Sequence, residues 1–123
     1  MILADTSVWI DHLRQSEPQL VGLLEAGKVR MHSLVLGELA CGSLKDRALR
    51  LTQWRSMPRI ASVNDTQAIA FIEWHRLMSR GLSFIDIHLL AACAASTGLR
   101  LWTRDRRLAE VAQHLNLALD QAI

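Results

Sequence analysis

Short apolar runs that stop abruptly at a polar or acidic residue alternate along this chain with longer stretches of helical periodicity. That alternation restricts the possible folds more than any other feature of the sequence. Ile2 to Ala4 stops at Asp5, Val29 to His32 runs into Ser33, and Ile60 to Val63 runs into Asn64 and Asp65. Leu99 to Trp102 ends at Thr103-Arg104-Asp105, and Leu117 to Leu119 is a fifth, edge-strand candidate. Between these runs apolar residues recur three and four apart, the spacing of a helix with one buried face. Leu20, Leu23 and Leu24 precede Gly27. Ser33 is placed to cap a helix through Leu34, Val35, Leu39 and Ala40, and a further helix is expected over Asp46 to Trp54. Asn64 or Asp65 is placed to cap a long helix carrying Ala68, Ile69, Ile72 and Leu77 and broken by Gly81. An alanine-rich helix is predicted from Ser83 to Thr97, stopped by Gly98, and a last one after Asp105. Strands alternating with helices predict an α/β fold, a mostly parallel sheet covered on both faces. In such sheets the ligand site lies beyond the C-terminal ends of the strands.

At 123 residues, half of them hydrophobic, the chain has the size and the apolar content of one folded domain, expected over 1–123, and too much apolar content for a disordered chain. Cys41 and Cys93 match neither a CxxC pair nor a zinc spacing. Both sit in apolar stretches and read as buried free thiols in a reducing compartment. There is no signal-peptide pattern and no apolar run of membrane-spanning length, which points to the cytoplasm. Twelve of the fourteen basic residues are arginine, although the net charge is only +2. Arginine suits bidentate contact with phosphate or carboxylate.

Four acids fall where the strand-end rule puts chemistry. Asp5 terminates the first strand and Asp105 lies just past the fourth. Glu38 follows the second, among Leu34, Val35 and Leu39, and reads as a partly buried glutamate in need of a partner. Asp86 opens the helix after Ser83, on the same face as Leu89, Leu90 and Cys93. Ordinary capping competes for three of them: Asp5 and Asp105 suit N-caps, and Ser83 with Asp86 forms an S-x-x-D capping box. If the four converge, their mutual repulsion has to be offset by raised pKa values or by a hard cation. Oxygen-only ligands favour Mg²⁺ or Mn²⁺ over zinc, and such ions serve phosphodiester hydrolysis.

The ordered set Asp5-Thr6-Ser7, Glu38-Leu39 with Gly42, Phe84 to Ala92 around Asp86, and Leu101-Trp102-Thr103-Arg104-Asp105 resembles the PIN-domain ribonucleases, and within them the VapC toxins. The resemblance covers essentially the whole chain. It implies a three-layer α/β/α sandwich with a mostly parallel central sheet and a Mg²⁺-dependent endoribonuclease site, with Mn²⁺ as an alternative ion. By the same resemblance Asp5 and Asp86 are the main metal ligands, Glu38 completes the pocket and helps activate water, and Asp105 is a fourth, more variable acid. Ser7 and Thr103 become hydroxyls that orient a carboxylate or a bound water. The family further implies an RNA substrate, a homodimer and a cognate antitoxin covering the acidic groove, with operator DNA met only through the antitoxin.

Arg104, Arg106 and Arg107 flank Asp105 and are the candidate phosphate contacts. His88, two positions past Asp86, lies off its helix face and reads as structural or surface-facing. Trp9, Trp54, Trp74 and Trp102 are assigned to the core or to protein-binding surfaces. A phosphatase of the haloacid dehalogenase type requires Asp-x-Asp after the first strand, and here position 7 is serine. A receiver-like signalling domain requires a lysine after its fifth strand, and no lysine follows Lys45. A PIN-like fold that has given up catalysis and serves as a binding partner or scaffold remains as the non-enzymatic alternative.

Overall fold

A computed structural model describes residues 1–119; the last four positions of the expected domain, 120–123, lie outside the described residues. The elements run β1 (Ile2–Ala4), α1 (Thr6–Arg14), α2 (Pro18–Glu25), β2 (Val29–Arg30), α3 (Ser33–Cys41), α4 (Arg47–Arg55), α5 (Asp65–His75), α6 (Phe84–Ala95), β3 (Arg100–Trp102) and α7 (Arg106–His114). The three strands form a parallel sheet in the order β2-β1-β3. In register, Ile2 faces Val29 on one side and Arg100 on the other, and Ala4 faces Trp102. All three residues of β1 are buried, as a central strand covered on both faces requires. The connection from β1 goes to one neighbour and the next crosses to the other. With right-handed crossovers, that reversal distributes the helices over both faces. The fold is therefore the expected α/β/α arrangement.

The two weakest strand expectations are corrected. Ile60 to Val63 is not a strand; Arg59 makes a single parallel bridge with Met31, fastened by Met31 N–H to Pro58 O (2.9 Å) and Ile60 N–H to Met31 O (2.9 Å). Beyond Ile60 the chain turns outward, and Ala61 and Ser62 are exposed. Leu117 to Leu119 likewise reduces to one bridge, Ala118 to Leu101, with hydrogen bonds of 2.8 Å on either side of Leu101. Each run meets the sheet for one residue only, too briefly to extend the ladder.

Helix ends differ where local hydrogen bonding outweighs the punctuating glycines. α5 stops at His75, well before Gly81, because Arg76 takes a left-handed conformation (φ 53°) and Leu77 N–H bonds back to Ile72 O (3.0 Å). Asn64 is its N-cap, in a reciprocal box with Gln67. α3 is capped by His32 rather than Ser33: the imidazole Nδ1 accepts from Leu34 N–H at 3.0 Å. α4 begins one residue after Asp46, which is left-handed and makes no side-chain cap, and α6 ends at Ala95 rather than Thr97. Gly81 (φ 77°) is needed for another reason. A Cβ there would lie 2.5 Å from a guanidinium nitrogen of Arg107, a flexible side chain that could move aside, so it is the left-handed backbone that calls for glycine.

The core is one cluster built on β1 and β3 and the inward faces of the helices, with Leu3, Leu20, Met31, Leu90, Leu101 and Leu108 fully enclosed. Trp9 and Trp54 meet edge-to-face inside it, ring centroids 6.0 Å apart. Trp102 is buried as well, whereas Trp74 is 83% exposed. Cys93 is buried, and burial pushes its thiol up to about 12. Cys41, expected to be buried, is exposed at the C-terminal end of α3. Among the described residues no helix is long and apolar enough to cross a membrane. Leu3 lies on the central strand with no exposed surface. Leu3→Ala should therefore lower the unfolding free energy in urea by about 2–5 kcal/mol; a loss below about 1 kcal/mol would mean that the sheet centre is not closely packed.

Candidate active site

Parallel strands deliver their C-terminal ends, and the starts of the helices that follow, to one edge of the molecule. β1 is the strand at which the connection reverses direction, so its C-terminal end opens on the crevice between diverging crossovers, the usual ligand site of such sheets. Asp5 occupies that position. It is buried, with both oxygens engaged: Oδ1 caps α1, and Oδ2 bonds to the segment after β3. Oδ1 accepts from the Ser7 and Val8 backbone N–H groups (3.0 and 3.4 Å) and from the Ser7 hydroxyl; Oδ2 accepts from Thr103 Oγ1 at 2.6 Å. Burial raises the Asp5 pKa above its usual value, against the pull of the Ser7 and Thr103 hydroxyls and of the two backbone donors.

The two hydroxyls also stitch the strand ends together. Ser7 Oγ accepts from Arg104 N–H (2.9 Å) and Thr103 Oγ1 accepts from Asp105 N–H (3.0 Å). Asp5 N–H in turn donates to Trp102 O (3.0 Å). A short network therefore joins the end of β1 to the segment leading into α7. Asp105 hangs from it as the N-cap of α7, exposed, with Oδ1 accepting from Leu108 N–H (3.0 Å).

Glu38 reaches this edge by a different route. It is exposed, not partly buried as its aliphatic neighbours suggested: it lies on the flank of the helix face that buries Val35 and Leu39, about 100° around from Leu39. Its Oε1 accepts from Thr6 Oγ1 at 2.9 Å, which ties α3 to the first turn of α1. Thr6 escaped the sequence reading as a site residue, although it stands inside the quoted Asp-Thr-Ser tripeptide. Asp86 is half-buried in the first turn of α6 and forms the expected capping box: Ser83 N–H donates to its Oδ2 (3.0 Å) and its own N–H donates to Ser83 Oγ (3.1 Å). α6 leads into β3 and so runs against the strands, which puts its N-terminus at the same edge.

Capping thus accounts for one oxygen each of Asp86 and Asp105, and Thr6 for one of Glu38. Among the described residues, Glu38 Oε2, Asp86 Oδ1 and Asp105 Oδ2 have no hydrogen-bond partner. The four acids share an edge without closing into a cage: no three Asp, Glu, His or Cys side chains among the described residues are grouped closely enough to hold one metal ion.

The arginines after β3 divide. Arg104 lies over the Trp102 ring (5.5 Å) and is paired with Glu17 (2.6 Å) and Asp11 (3.3 Å), so its charge is balanced within the fold. Arg106 and Arg107 are exposed and make no ion pair among the described residues. Two buried histidines were not anticipated as a unit. His88 Nε2 lies 2.9 Å from Asp65 Oδ1, its ring edge-on to Phe84, and His32 is fully enclosed near it. Burial, His88 and Arg59 together push the His32 pKa down to about 4. No sequence signal marked His32, since Ser33 is the better cap by type.

Two outcomes follow from these environments. Because the folded Asp5 pKa is raised, the stability linked to this group is greatest at acid pH and is lost as pH rises through the folded value; at neutral pH its charge is a cost. Asp5→Asn should therefore unfold in urea at pH 7 at an unchanged or higher midpoint, in the presence of chelator; a loss beyond about 1 kcal/mol would make Asp5 primarily a structural cap. His32 has the opposite sign: its folded pKa of about 4 lies below the ordinary 6.5. The stability it contributes is complete above pH 6.5 and lost as pH falls toward 4, with an upper bound on the order of 3 kcal/mol. Urea midpoints at pH 7.5 and 5.0 should show that decline in the natural chain and a shallower one in His32→Asn; equal declines would remove His32 as its source.

A family model described as the PIN domain matches residues 2–114. The chain is 39% identical over 123 residues, 100% of its length and 99% of the relative's, to Ribonuclease VapC32 of Mycobacterium tuberculosis, with the same figures for strains CDC 1551 / Oshkosh and ATCC 25618 / H37Rv. Its fold superposes on the crystal structure of PAE2754 from Pyrobaculum aerophilum with a TM-score of 0.64 at 20% identity, covering 97% of this chain and 87% of that one. At that identity the structural match speaks for the fold alone, while the full-length sequence match and the family model agree on the lineage. The chain belongs to the PIN-domain family, and within it to the VapC proteins.

Proposed function

We propose that this chain is an endoribonuclease, the toxin of a toxin–antitoxin pair, hydrolysing RNA phosphodiester bonds at the edge that carries Asp5, Glu38, Asp86 and Asp105. The observation that carries the reading is Asp5: a buried carboxylate, its pKa raised by desolvation, held by four donors at the reversal point of the sheet. Strained electrostatics of this kind in a crevice mark functional sites. The name of the Mycobacterium relative supplies the chemistry, ribonuclease action.

The donor set fits Mg²⁺ or Mn²⁺. All four side chains offer oxygen, three keep an oxygen without a protein partner, and Mg²⁺ is ordinarily held by one or two carboxylates with water filling the rest, so no closed cage is required. Asp5 and Asp86 would hold the ion, with Glu38 and Asp105 completing the acidic edge. Bound there, it supplies Lewis-acid neutralisation of charge on the phosphate and lowers the pKa of water. The chain does the rest. Ser7 and Thr103 fix the Asp5 carboxylate, Thr6 fixes Glu38 through Oε1, and Glu38 Oε2 receives the proton of the attacking water. Arg106 and Arg107 meet RNA phosphates, while Arg104 braces the loop that carries them. In the same reading the protein works in the cytoplasm as a homodimer, away from membranes. A cognate antitoxin covers the acidic edge, and operator DNA is met only through that antitoxin.

Two observations favour the alternative, a PIN fold that has given up catalysis and serves as a binding partner: the capping bonds give Asp86 and Asp105 structural employment, and among the described residues no three acids are gathered. Incubating purified protein with total cellular RNA separates the two. Cleavage is expected with Mg²⁺ or Mn²⁺, abolished by EDTA and in Asp5→Asn, and reduced at least a hundredfold in Glu38→Gln. Cutting that persists in chelator would overturn the metal reading, and a folded protein that neither cuts RNA nor binds the ions would establish the non-catalytic one.

A further inference from the structure

A cavity of about 410 Å³ opens between the C-terminal halves of α1 and α3 and the start of α4. That volume lies in the ~300–1,000 Å³ range of small-ligand sites. Its floor is apolar, with Leu13 and Leu44 half-buried there, and its rim carries Arg14, Lys45 and Arg50. Glu38 also lines it, so this cavity adjoins the acidic edge described above.

The three cations differ from Arg104 in one respect. None makes an ion pair or a side-chain hydrogen bond among the described residues, and Glu38, which shares the cavity, is bonded to Thr6 instead. Three unspent positive charges around an apolar floor, next to a carboxylate assigned to handle the attacking water, match the chemistry of a nucleotide. It presents an anionic phosphodiester on one side and a flat, stackable base on the other. We propose that this cavity is a subsite for one nucleotide of the RNA substrate adjacent to the scissile bond, its phosphate held by Arg14, Lys45 and Arg50 and its base lying on the floor formed with Leu13 and Leu44.

The proposal rests on the ribonuclease reading, and its test keeps the two apart. The full-length natural chain is compared with Arg14→Gln/Lys45→Gln/Arg50→Gln, with the single exposed change Lys45→Glu, and with a control of equal charge loss elsewhere, Lys28→Gln/Arg55→Gln/Arg80→Gln. Binding of a 5′-fluorescein RNA dodecamer is followed by anisotropy in EDTA, and cleavage of total cellular RNA is followed in Mg²⁺. The cavity triple variant should bind at least tenfold more weakly than the control, and its log–log salt slope should be shallower by about 0.7, the value for one phosphate contact on a single strand. Its cleavage should suffer mainly in KM, and Lys45→Glu should shift both readouts in the same direction. Equal binding by the cavity and control variants, with the natural chain still cleaving RNA, would overturn the subsite, leave the nuclease standing and point to a protein partner for the cavity. A natural chain that neither binds nor cleaves RNA would overturn both.

Discussion

A carboxylate without access to water, sitting at the end of the central strand, is the constraint around which the rest of the structure is arranged. Asp5 is 6% exposed, and a charge so placed has to be met by donors from the protein itself. Two come from the backbone at the start of α1 and two from hydroxyls, one just ahead in the chain and one ninety-eight residues away. The distant hydroxyl, Thr103, is brought there only because β3 pairs with β1, and the same hydroxyl then receives Asp105 N–H. Strand pairing, helix capping and the position of the fourth acid are thus parts of one polar network. These donors only partly offset desolvation, which leaves Asp5 with a raised pKa, a residue retained at some expense in stability. A bound cation would remove that expense, which is the physical sense of a ligand site here.

The same economy appears in how the acidic edge is built. Each of the other three acids is fixed through one oxygen by a neighbour that is itself fixed: Asp86 by Ser83, Asp105 by Leu108 N–H, Glu38 by Thr6. Capping and ligand binding are compatible roles for a carboxylate, since it offers two oxygens and a helix start engages one. Helix N-termini α1, α6 and α7 carry Asp5, Asp86 and Asp105, so the positive ends of three helix dipoles moderate the repulsion among them. Arginine usage follows a similar division. Arg104 is spent on Asp11, Glu17 and the Trp102 face, while Arg14, Lys45 and Arg50 remain available around the cavity beside Glu38.

Much of this was legible in the sequence because it is local. Abrupt ends of apolar runs identified β1, β2 and β3, three- and four-residue spacing identified α2, α3 and α5, and the S-x-x-D box at Ser83 is present as read, whereas α1 was marked only by the suitability of Asp5 as an N-cap. Where the reading missed, a distant partner decided the outcome. Ile60 to Val63 and Leu117 to Leu119 are apolar enough for strands, but only Arg59 and Ala118 find a ladder neighbour. Cys41 lies in an apolar stretch yet is exposed, at the end of α3 whose last carbonyls are met by the Arg47 guanidinium rather than by an apolar cover. His32 takes the capping role from Ser33 and is fully enclosed, within electrostatic reach of His88 in α6, a juxtaposition that no spacing rule encodes.

The sequence by itself determined the α/β class with its parallel sheet, the three strands that form it, and the acids Asp5, Asp86 and Asp105 at strand ends or helix starts. These depend on periodicity and on short-range hydrogen bonding, which act within a few residues. Only the tertiary structure decided which acid is desolvated, which arginine is already paired, and which residues share a cavity. Burial and charge balance are properties of atoms brought together by packing across the whole chain: Asp5 is buried and Glu38 is not, though both lie beside aliphatic residues in sequence. Solvent exclusion around Asp5 depends on β3 and α1 closing over it, and no local pattern records that closure.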